Sequence, residues 1–267
     1  MEIITSRQNP AIVAASKLGD KKYRQATHTF AFEGEKLLAD AVLSGIRFVR
    51  VFATEKAYRR YESLLVKVGE DKLSLVSESV YEKLSFEMAP QGIFCVAEMM
   101  PHAEKGDGSF VLLLDGVSDP GNFGAVLRSA DAFGVDTVYT GGGAADLYHP
   151  KVVRACMGSL FRVNVRAEED LAQRVLRLRE NGFRIYATAL DKQAEDIRHA
   201  DFSGKIGFVI GNEGHGISDS VLAACSGCVI IPMRKGPQSL NAAVASGIVL
   251  WEAARGRINI QNSGGQR

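Results

Sequence analysis

Residues 230–255 read IIPMRKGPQSLNAAVASGIVLWEAAR, and the order of residue types in this stretch decides the fold. It continues a Val- and Ile-rich strand, Cys228 to Pro232, which ends at Pro232 because proline has no N–H for a sheet ladder. A polar loop containing Gly and Pro runs from Met233 to Gln238. A helix is expected from Ser239, whose hydroxyl is of the type that caps a helix N-terminus. Along it, Leu240, Ala242, Ala243, Val244, Ala245, Ile248, Val249, Leu250 and Trp251 cover nearly the whole circumference, so burial on most sides is expected. Such a helix near the chain end needs a second apolar surface, from its own chain or from another copy. Asn241 is the polar group it carries inward, in the first turn, where orphan N–H groups also face the loop. Strand, loop and helix outline a ligand site, and the same pattern equally describes a plain closing unit of an α/β sheet.

Two stretches upstream have the same build. Ile210 to Ser218, IGNEGHGIS, follows a strand, and Gly211, Gly214 and Gly216 let its backbone approach something flat or charged. Glu213 is an acceptor for a hydroxyl or amino group, while a tight turn without a ligand is the alternative. Neither the G-x-G-x-x-G dinucleotide fingerprint after a strand nor a Walker-type phosphate loop occurs. Asp115 to Ala130, DGVSDPGNFGAVLRSA, places Arg128 four residues beyond Gly124 and seven beyond Gly121, all on one helical face opposite the apolar stripe. Arg128 thus projects over a glycine-floored surface, and Asn122 sits where an N-cap belongs. The plainer reading makes Arg128 a surface arginine in an ion pair and Asn122 a cap only. Three Gly- or Pro-bearing loops, each after a strand of one sheet, point to a single pocket built largely from backbone groups.

The surrounding sequence supplies that sheet. Phe110 to Leu114 is wholly apolar, as expected of a strand buried on both faces. Further strands are expected at Val138–Thr140, Phe161–Val165, Arg184–Ala189 and Gly207–Ile210, and helices at Pro150–Met157 and Glu168–Asn181. Strand–helix alternation of this kind gives an α/β domain with a mostly parallel sheet, whose ligands lie at the C-terminal strand ends. Residues 101–109, PHAEKGDGS, lack any periodicity and are expected to link two domains, 1–100 and 110–267.

The first hundred residues form a smaller α/β unit by the same reasoning. Strands are expected at Thr29–Phe32, Phe48–Phe52, Leu73–Val76 and Gly92–Ala97, with helices at Glu35–Leu43 and Lys56–Val68. Ser79-x-x-Glu82 resembles a capping box. Between Ser6 and Arg24, Arg7, Lys17, Lys21, Lys22 and Arg24 face only Asp20, a cluster suited to phosphates and also to a plain solvated surface.

Composition narrows the classes. With 46% hydrophobic and 24% charged residues the chain is of ordinary globular type, and a net charge of +1 gives no global attraction to nucleic acid. No apolar run reaches membrane-span length and no secretory h-region opens the chain, so a cytoplasmic location is expected, with no membrane association. Cys225 and Cys228 have C-x-x-C spacing, yet no second pair or clustered histidines complete a zinc site, and no helix opens at the pair. The spacing is read as coincidental, and no metal is expected.

Taken together, Asp119-Pro120-x-Asn122-x-Gly124-Ala125-x-x-Arg128, Gly211-Asn212-Glu213-Gly214-x-Gly216 and Ile231-Pro232-Met233 with Ser239-Leu240-Asn241 resemble the three motifs of SpoU-type, TrmH-like RNA methyltransferases of the SPOUT superfamily. The likeness spans about Phe110 to Arg255. Residues 1–100 resemble the L30e-like substrate-binding domain of many members, through Ser6-Arg7-Gln8-Asn9-Pro10 and Phe32-Glu33-Gly34. Two positions depart from the pattern: Gln238 stands where the family often has an acid, and Ala243 where it often has serine.

The resemblance implies a C-terminal domain tied in a deep trefoil knot, a rare exception to unknotted topology. It implies methyl transfer from S-adenosylmethionine to a ribose 2′-hydroxyl of RNA by a homodimer formed through the final helix. By motif matching, Gly211, Asn212, Glu213, Gly214, Ile231, Met233, Ser239 and Leu240 would hold the cofactor. Asn122, Arg128, Glu213 and Asn241 would lie nearest the transfer. The extra first domain favours 23S-type ribosomal RNA by analogy, with transfer RNA as the alternative. A non-catalytic RNA-binding or ribosome-assembly protein is the rival from another class, disfavoured by intact Arg128, Glu213 and Asn241. A nucleotide-dependent oxidoreductase is disfavoured by the missing fingerprint.

Overall fold

The computed structural model describes residues 2–101, 106–189, 191, 193–234 and 239–257. In chain order it forms β1 (Ile3–Ile4), α1 (Pro10–Ser16), α2 (Lys21–Thr27), β2 (Thr29–Glu33), α3 (Glu35–Leu43), β3 (Phe48–Thr54), α4 (Glu55–Leu65), β4 (Leu73–Val76), α5 (Glu78–Leu84) and β5 (Ile93–Glu98). There follow β6 (Phe110–Asp115), α6 (Pro120–Ala132), β7 (Thr137–Thr140), α7 (Pro150–Ala155), β8 (Asn164–Ala167), α8 (Leu171–Glu180), β9 (Arg184–Thr188) and β10 (Glu195–Asp196). The last elements are β11 (Ile206–Gly211), α9 (Asp219–Ala224), β12 (Gly227–Ile230) and α10 (Ala242–Ala254).

These elements pack as two units that are not consecutive stretches of chain. One comprises the described residues up to Pro101 together with Asp146–Arg162; the other comprises the described residues between Pro101 and Asp146 and those from Val163 onward. The first unit holds a five-stranded mixed sheet in the order β1-β4-β3-β5-β2, with β5 antiparallel to both β3 and β2. Ile12, Leu18, Phe52, Val80, Leu84 and Phe94 pack on one face of it and are buried.

The segment Asp146–Arg162 is built into this unit by buried groups. Tyr148 packs on Phe30 with ring centroids 4.8 Å apart, and Phe161 on Phe32 at 5.5 Å. Arg24 is 1% exposed; its guanidinium donates to the carbonyls of Leu18 and Gly19 and pairs with Asp146. Arg24 is therefore an internal strut and not part of a phosphate-gripping surface. The chain from Ser159 to Phe161 is a 3-10 turn with Leu160 and Phe161 buried, so β8 begins at Asn164 and not at Phe161.

The second unit holds a seven-stranded sheet in the order β10-β12-β9-β11-β6-β7-β8, and every pairing is parallel. From β6 the chain builds outward through β7 and β8, then returns to the other side for β9 and β11. The carboxyl ends of β6 and β11 therefore flank a topological switch point, the place where such sheets bind ligands.

Helix α8 begins at Leu171 and not at Glu168, and three helix caps differ from the sequence expectation. Asp119, not Asn122, caps α6: Pro120 presets the first helical residue, and Asp119 Oδ1 accepts from the Asn122 N–H at 2.7 Å. Asn241, not Ser239, caps α10, its Oδ1 accepting from the N–H groups of Ala243 and Val244 at 2.9 and 3.2 Å. Ser77, not Ser79, caps α5. Helix α10 packs against α6 and β11, burying Ser246, Val249, Leu250, Ala253 and Ala254. The described residues cover only one side: Val244, Ile248 and Trp251 form a stripe that is 51%, 38% and 53% exposed.

Candidate active site

Three loops emerge at the switch point, and each is shaped by an identifiable contact. After β6, Asp115 Oδ2 accepts from both the N–H and the hydroxyl of Ser218, at 2.7 and 2.8 Å, joining the first loop to the second. After β11, Asn212 and Gly216 exchange backbone hydrogen bonds of 2.9 Å and close a tight loop. The Asn212 side chain serves that loop too: Oδ1 accepts from the N–H groups of Gly214 and His215, and Nδ2 donates to Gly116 O at 2.7 Å. Asn212 thus has a structural task inside the loop.

The loop after β12 borders a cleft at the ends of β9 and β12. Ile231, Met233, Ser239 and Leu240 line it, as do Thr188, Ala189 and Ala245. Thr188 and Ala189 escaped sequence reasoning. Their signal was positional, since they end a strand beside β11, but no unusual residue type marks them. Residues 235–238, Gln238 among them, lie outside the described residues. The cleft is mostly apolar, with backbone of non-regular conformation on two sides. That lining fits a ligand that carries a flat heterocycle, such as the adenosyl group of S-adenosylmethionine.

Beside this cleft the three motifs meet in one directed chain of hydrogen bonds. Asn241 Nδ2 donates to Asn122 Oδ1 at 2.8 Å, and Asn122 Nδ2 donates to Glu213 Oε1 at 2.8 Å. The direction has a cause. Helix α10's first N–H groups occupy Asn241 Oδ1, so its NH2 must face Asn122. Asn122 can then present only its own NH2 to Glu213. Glu213 Oε2 keeps no partner among the described residues and remains an acceptor. Arg128 stands two turns along α6, exposed, with no ion pair or hydrogen bond among the described residues.

Asn122→Asp tests the relay directly. The substitution sets a carboxylate oxygen against Glu213 Oε1, and two carboxylates so placed cannot both ionise freely. Turnover should fall by about 10- to 100-fold near pH 8 and recover as pH drops and one carboxyl regains a proton. A variant-to-wild-type ratio of kcat that stays flat from about pH 6 to 8.5 would remove the relay.

Elsewhere the thiols are inert. Burial pushes the Cys225 thiol up to about 12, with Cys228 beside it adding to the shift, and burial also raises Cys228. Thiols held protonated in this way are poor nucleophiles, and among the described residues no group of three or more His, Cys, Asp or Glu side chains is placed to hold a metal ion.

A parallel sheet with loops at its switch point, an apolar cleft and a chain of polar side chains beside it defines an α/β domain with a candidate small-ligand site. Residues 109–251 match the SpoU rRNA Methylase family, and residues 9–95 match the MRM3-like substrate binding domain. The chain belongs to the SpoU rRNA methylase family, as its three motifs indicated. It is 32% identical over 252 residues to the 23S rRNA (guanosine(2553)-2′-O)-methyltransferase RlmP of Bacillus subtilis, covering 94% of this chain and 98% of that one. It is 30% identical to the 23S rRNA (uridine(2479)-2′-O)-methyltransferase of Streptomyces viridochromogenes, covering 96% and 93%. Among solved structures, the AdoMet-bound rRNA methyltransferase of Sinorhizobium meliloti aligns with a TM-score of 0.84 at 28% identity, covering 97% and 99%.

Proposed function

We propose that the protein methylates a ribose 2′-hydroxyl of RNA with S-adenosylmethionine, and that its substrate is 23S-type ribosomal RNA. The observation that carries this reading is the meeting of Asn122, Glu213 and Asn241, one from each motif, beside an apolar cleft. Bound S-adenosylmethionine supplies an electrophilic methyl group. Ile231, Met233, Ser239 and Leu240 hold it, with Gly211, Glu213 and Gly214 at the neighbouring loop. The relay fixes one oxygen of Glu213 and leaves the other to accept from a hydroxyl. Arg128, charged and unpaired, binds a phosphate of the RNA and offsets the negative charge that grows on the 2′-oxygen. The unit that includes residues 1–100 binds the RNA. Its relatives' named substrates, guanosine and uridine of 23S rRNA, favour ribosomal over transfer RNA. Calorimetric titration with S-adenosylmethionine tests the cofactor site. Mapping 2′-O-methyl positions in RNA from cells with and without the gene tests the reaction; unchanged ribosomal methylation would overturn it.

A homodimer through α10, a trefoil knot and a cytoplasmic location complete the proposal. The return of the chain from β12 to pack α10 on α6 and β11 supports the knot. No helix among the described residues is long and apolar enough to cross a membrane. The stripe Val244–Ile248–Trp251 supports the dimer, because fully burying one such side chain contributes about 1.5–3 kcal/mol. An isologous contact doubles every residue's contribution. Wild-type protein should therefore sediment as a dimer at micromolar concentration and Ile248→Arg as a monomer; a monomeric wild type would sink the assignment.

A further inference from the structure

The first unit carries a cleft to which neither the motifs nor the family membership assign a task. It measures about 460 Å³, within the range of small-ligand pockets, and lies where α4 leaves β3. Lys56 and Arg60, one helical turn apart, line it together with Tyr61, Thr54, Gln91 and Gly92. Three features set it apart from ordinary surface. Lys56 and Arg60 are exposed and have no acidic partner among the described residues, whereas their neighbour Arg59 is paired with Glu55. The backbone of α4 leaves helical geometry at Tyr61 (φ −123°, ψ 24°), and the Arg60 guanidinium lies 5.2 Å from the Tyr61 ring centroid, forming an arginine–aromatic platform.

The third feature is a floor kept open by glycine. A Cβ on Gly92, whose φ is +81°, would lie 2.6 Å from Thr54 Oγ1 and 2.9 Å from Ala57 Cβ. The wall is held rigid: Gln91 Oε1 accepts from the Glu35 N–H at 3.1 Å. Glu33 takes hydrogen bonds from the Ser85 hydroxyl, the Phe86 N–H and the Tyr81 hydroxyl, fixing the start of the same loop. Glu78 is the one carboxylate in the lining and offers an acceptor for an amino or hydroxyl group.

We propose that this cleft binds one unpaired nucleotide of the RNA substrate, with its flanking phosphate on Lys56 and Arg60 and its base on the Arg60–Tyr61 platform. The inference rests on the reading that this unit binds RNA. Paired cations with a stacking ring suit an unstacked, single-stranded base, since a base inside a duplex exposes no face to a ring.

Fluorescence anisotropy with the full-length protein, a mixed-sequence single-stranded RNA and a matched duplex tests it. The double variant Lys56→Ala, Arg60→Ala should bind the single strand about 10-fold or more weakly near 0.1 M salt. The slope of log affinity against log salt should flatten by about 0.7, the loss of one neutralised phosphate. Tyr61→Ala should lose about 5- to 100-fold and Tyr61→Phe should keep its affinity, because the ring and not the hydroxyl stacks. S-adenosylmethionine affinity should be unchanged, and an unchanged melting profile, measured in parallel, reports an intact first unit. Wild-type affinity in the double variant overturns the cleft alone, as does an equal loss on the duplex. A wild-type protein that binds S-adenosylmethionine but neither RNA overturns the functional reading as well.

Discussion

Arg128→Ala is expected to lower kcat by about 10³-fold while S-adenosylmethionine affinity stays within about twofold of wild type. A ribose hydroxyl is a weak nucleophile until it loses its proton, so the reaction needs help on the oxygen side. Among the motif side chains, Glu213 is partly committed to Asn122, and His215 contributes its N–H to Asn212 within the loop. Arg128 is exposed and uncommitted. A free guanidinium titrates above about pH 12, and a phosphate beside it favours the charged form further. A charged arginine that grips phosphate and stabilises a developing alkoxide is therefore the better assignment than an arginine base. Arg128→Lys separates the two roles. Lysine loses a proton more readily but cannot reproduce a bidentate phosphate grip, so the variant should be nearly as impaired as alanine. Substantial activity in Arg128→Lys that climbs with pH would refute the electrostatic role, and wild-type turnover in Arg128→Ala would refute both.

Gly211→Ala should weaken S-adenosylmethionine binding at least about 10-fold and lower the melting temperature by several degrees. A Cβ there would lie 2.3 Å from the Gly216 carbonyl carbon and 2.5 Å from both Gly216 O and Ile217 N. Those are backbone atoms and cannot rotate away. Relief requires opening the reciprocal Asn212–Gly216 hydrogen bonds, which displaces Glu213 from Asn122. Gly214 is the control in the same loop. A Cβ on it would approach only Asn212 Oδ1, at 3.4 Å, so Gly214→Ala should fold like wild type. Calorimetry and thermal melting of the two variants side by side decide whether the constraint sits at 211; equal behaviour would place it elsewhere.

How much of this was legible in the residues varies with the kind of interaction. The alternation of apolar runs with 3.6-period stripes placed the longer strands and helices, because burial on a sheet or helix face is written in local spacing, but it missed the short elements β1, α1, α2, β10 and α9. Helix starts were less legible. Asp119 and Asn122 are both good caps on paper, and only the position of Pro120 relative to each chooses between them. The approach of the three motif loops to one another, seen in the hydrogen bonds of Asn122 with Glu213 and Asn241, was legible from their placement after strands of one sheet. The direction of the Asn241–Asn122–Glu213 relay was not, because it is set by which oxygen the α10 N–H groups occupy. Burial of Arg24 was also hidden, since its partner Asp146 lies more than a hundred residues away. The all-round apolar sequence of α10 predicts burial on most sides, whereas the described residues cover only one of them.

That distant partner has a consequence for how the protein is made. As the chain leaves the ribosome, residues 1–101 emerge first, yet their unit lacks Tyr148, Phe161 and the carboxylate that matches buried Arg24. Leaving a buried charge without its partner costs about 3–5 kcal/mol, a large part of a domain's net stability. The N-terminal unit therefore cannot finish folding until residue 162 is out, when β6, α6 and β7 of the other unit are already exposed. Completion of the first unit during synthesis is thus delayed past residue 162, and until then it shares the nascent chain with unpaired strands of the second sheet.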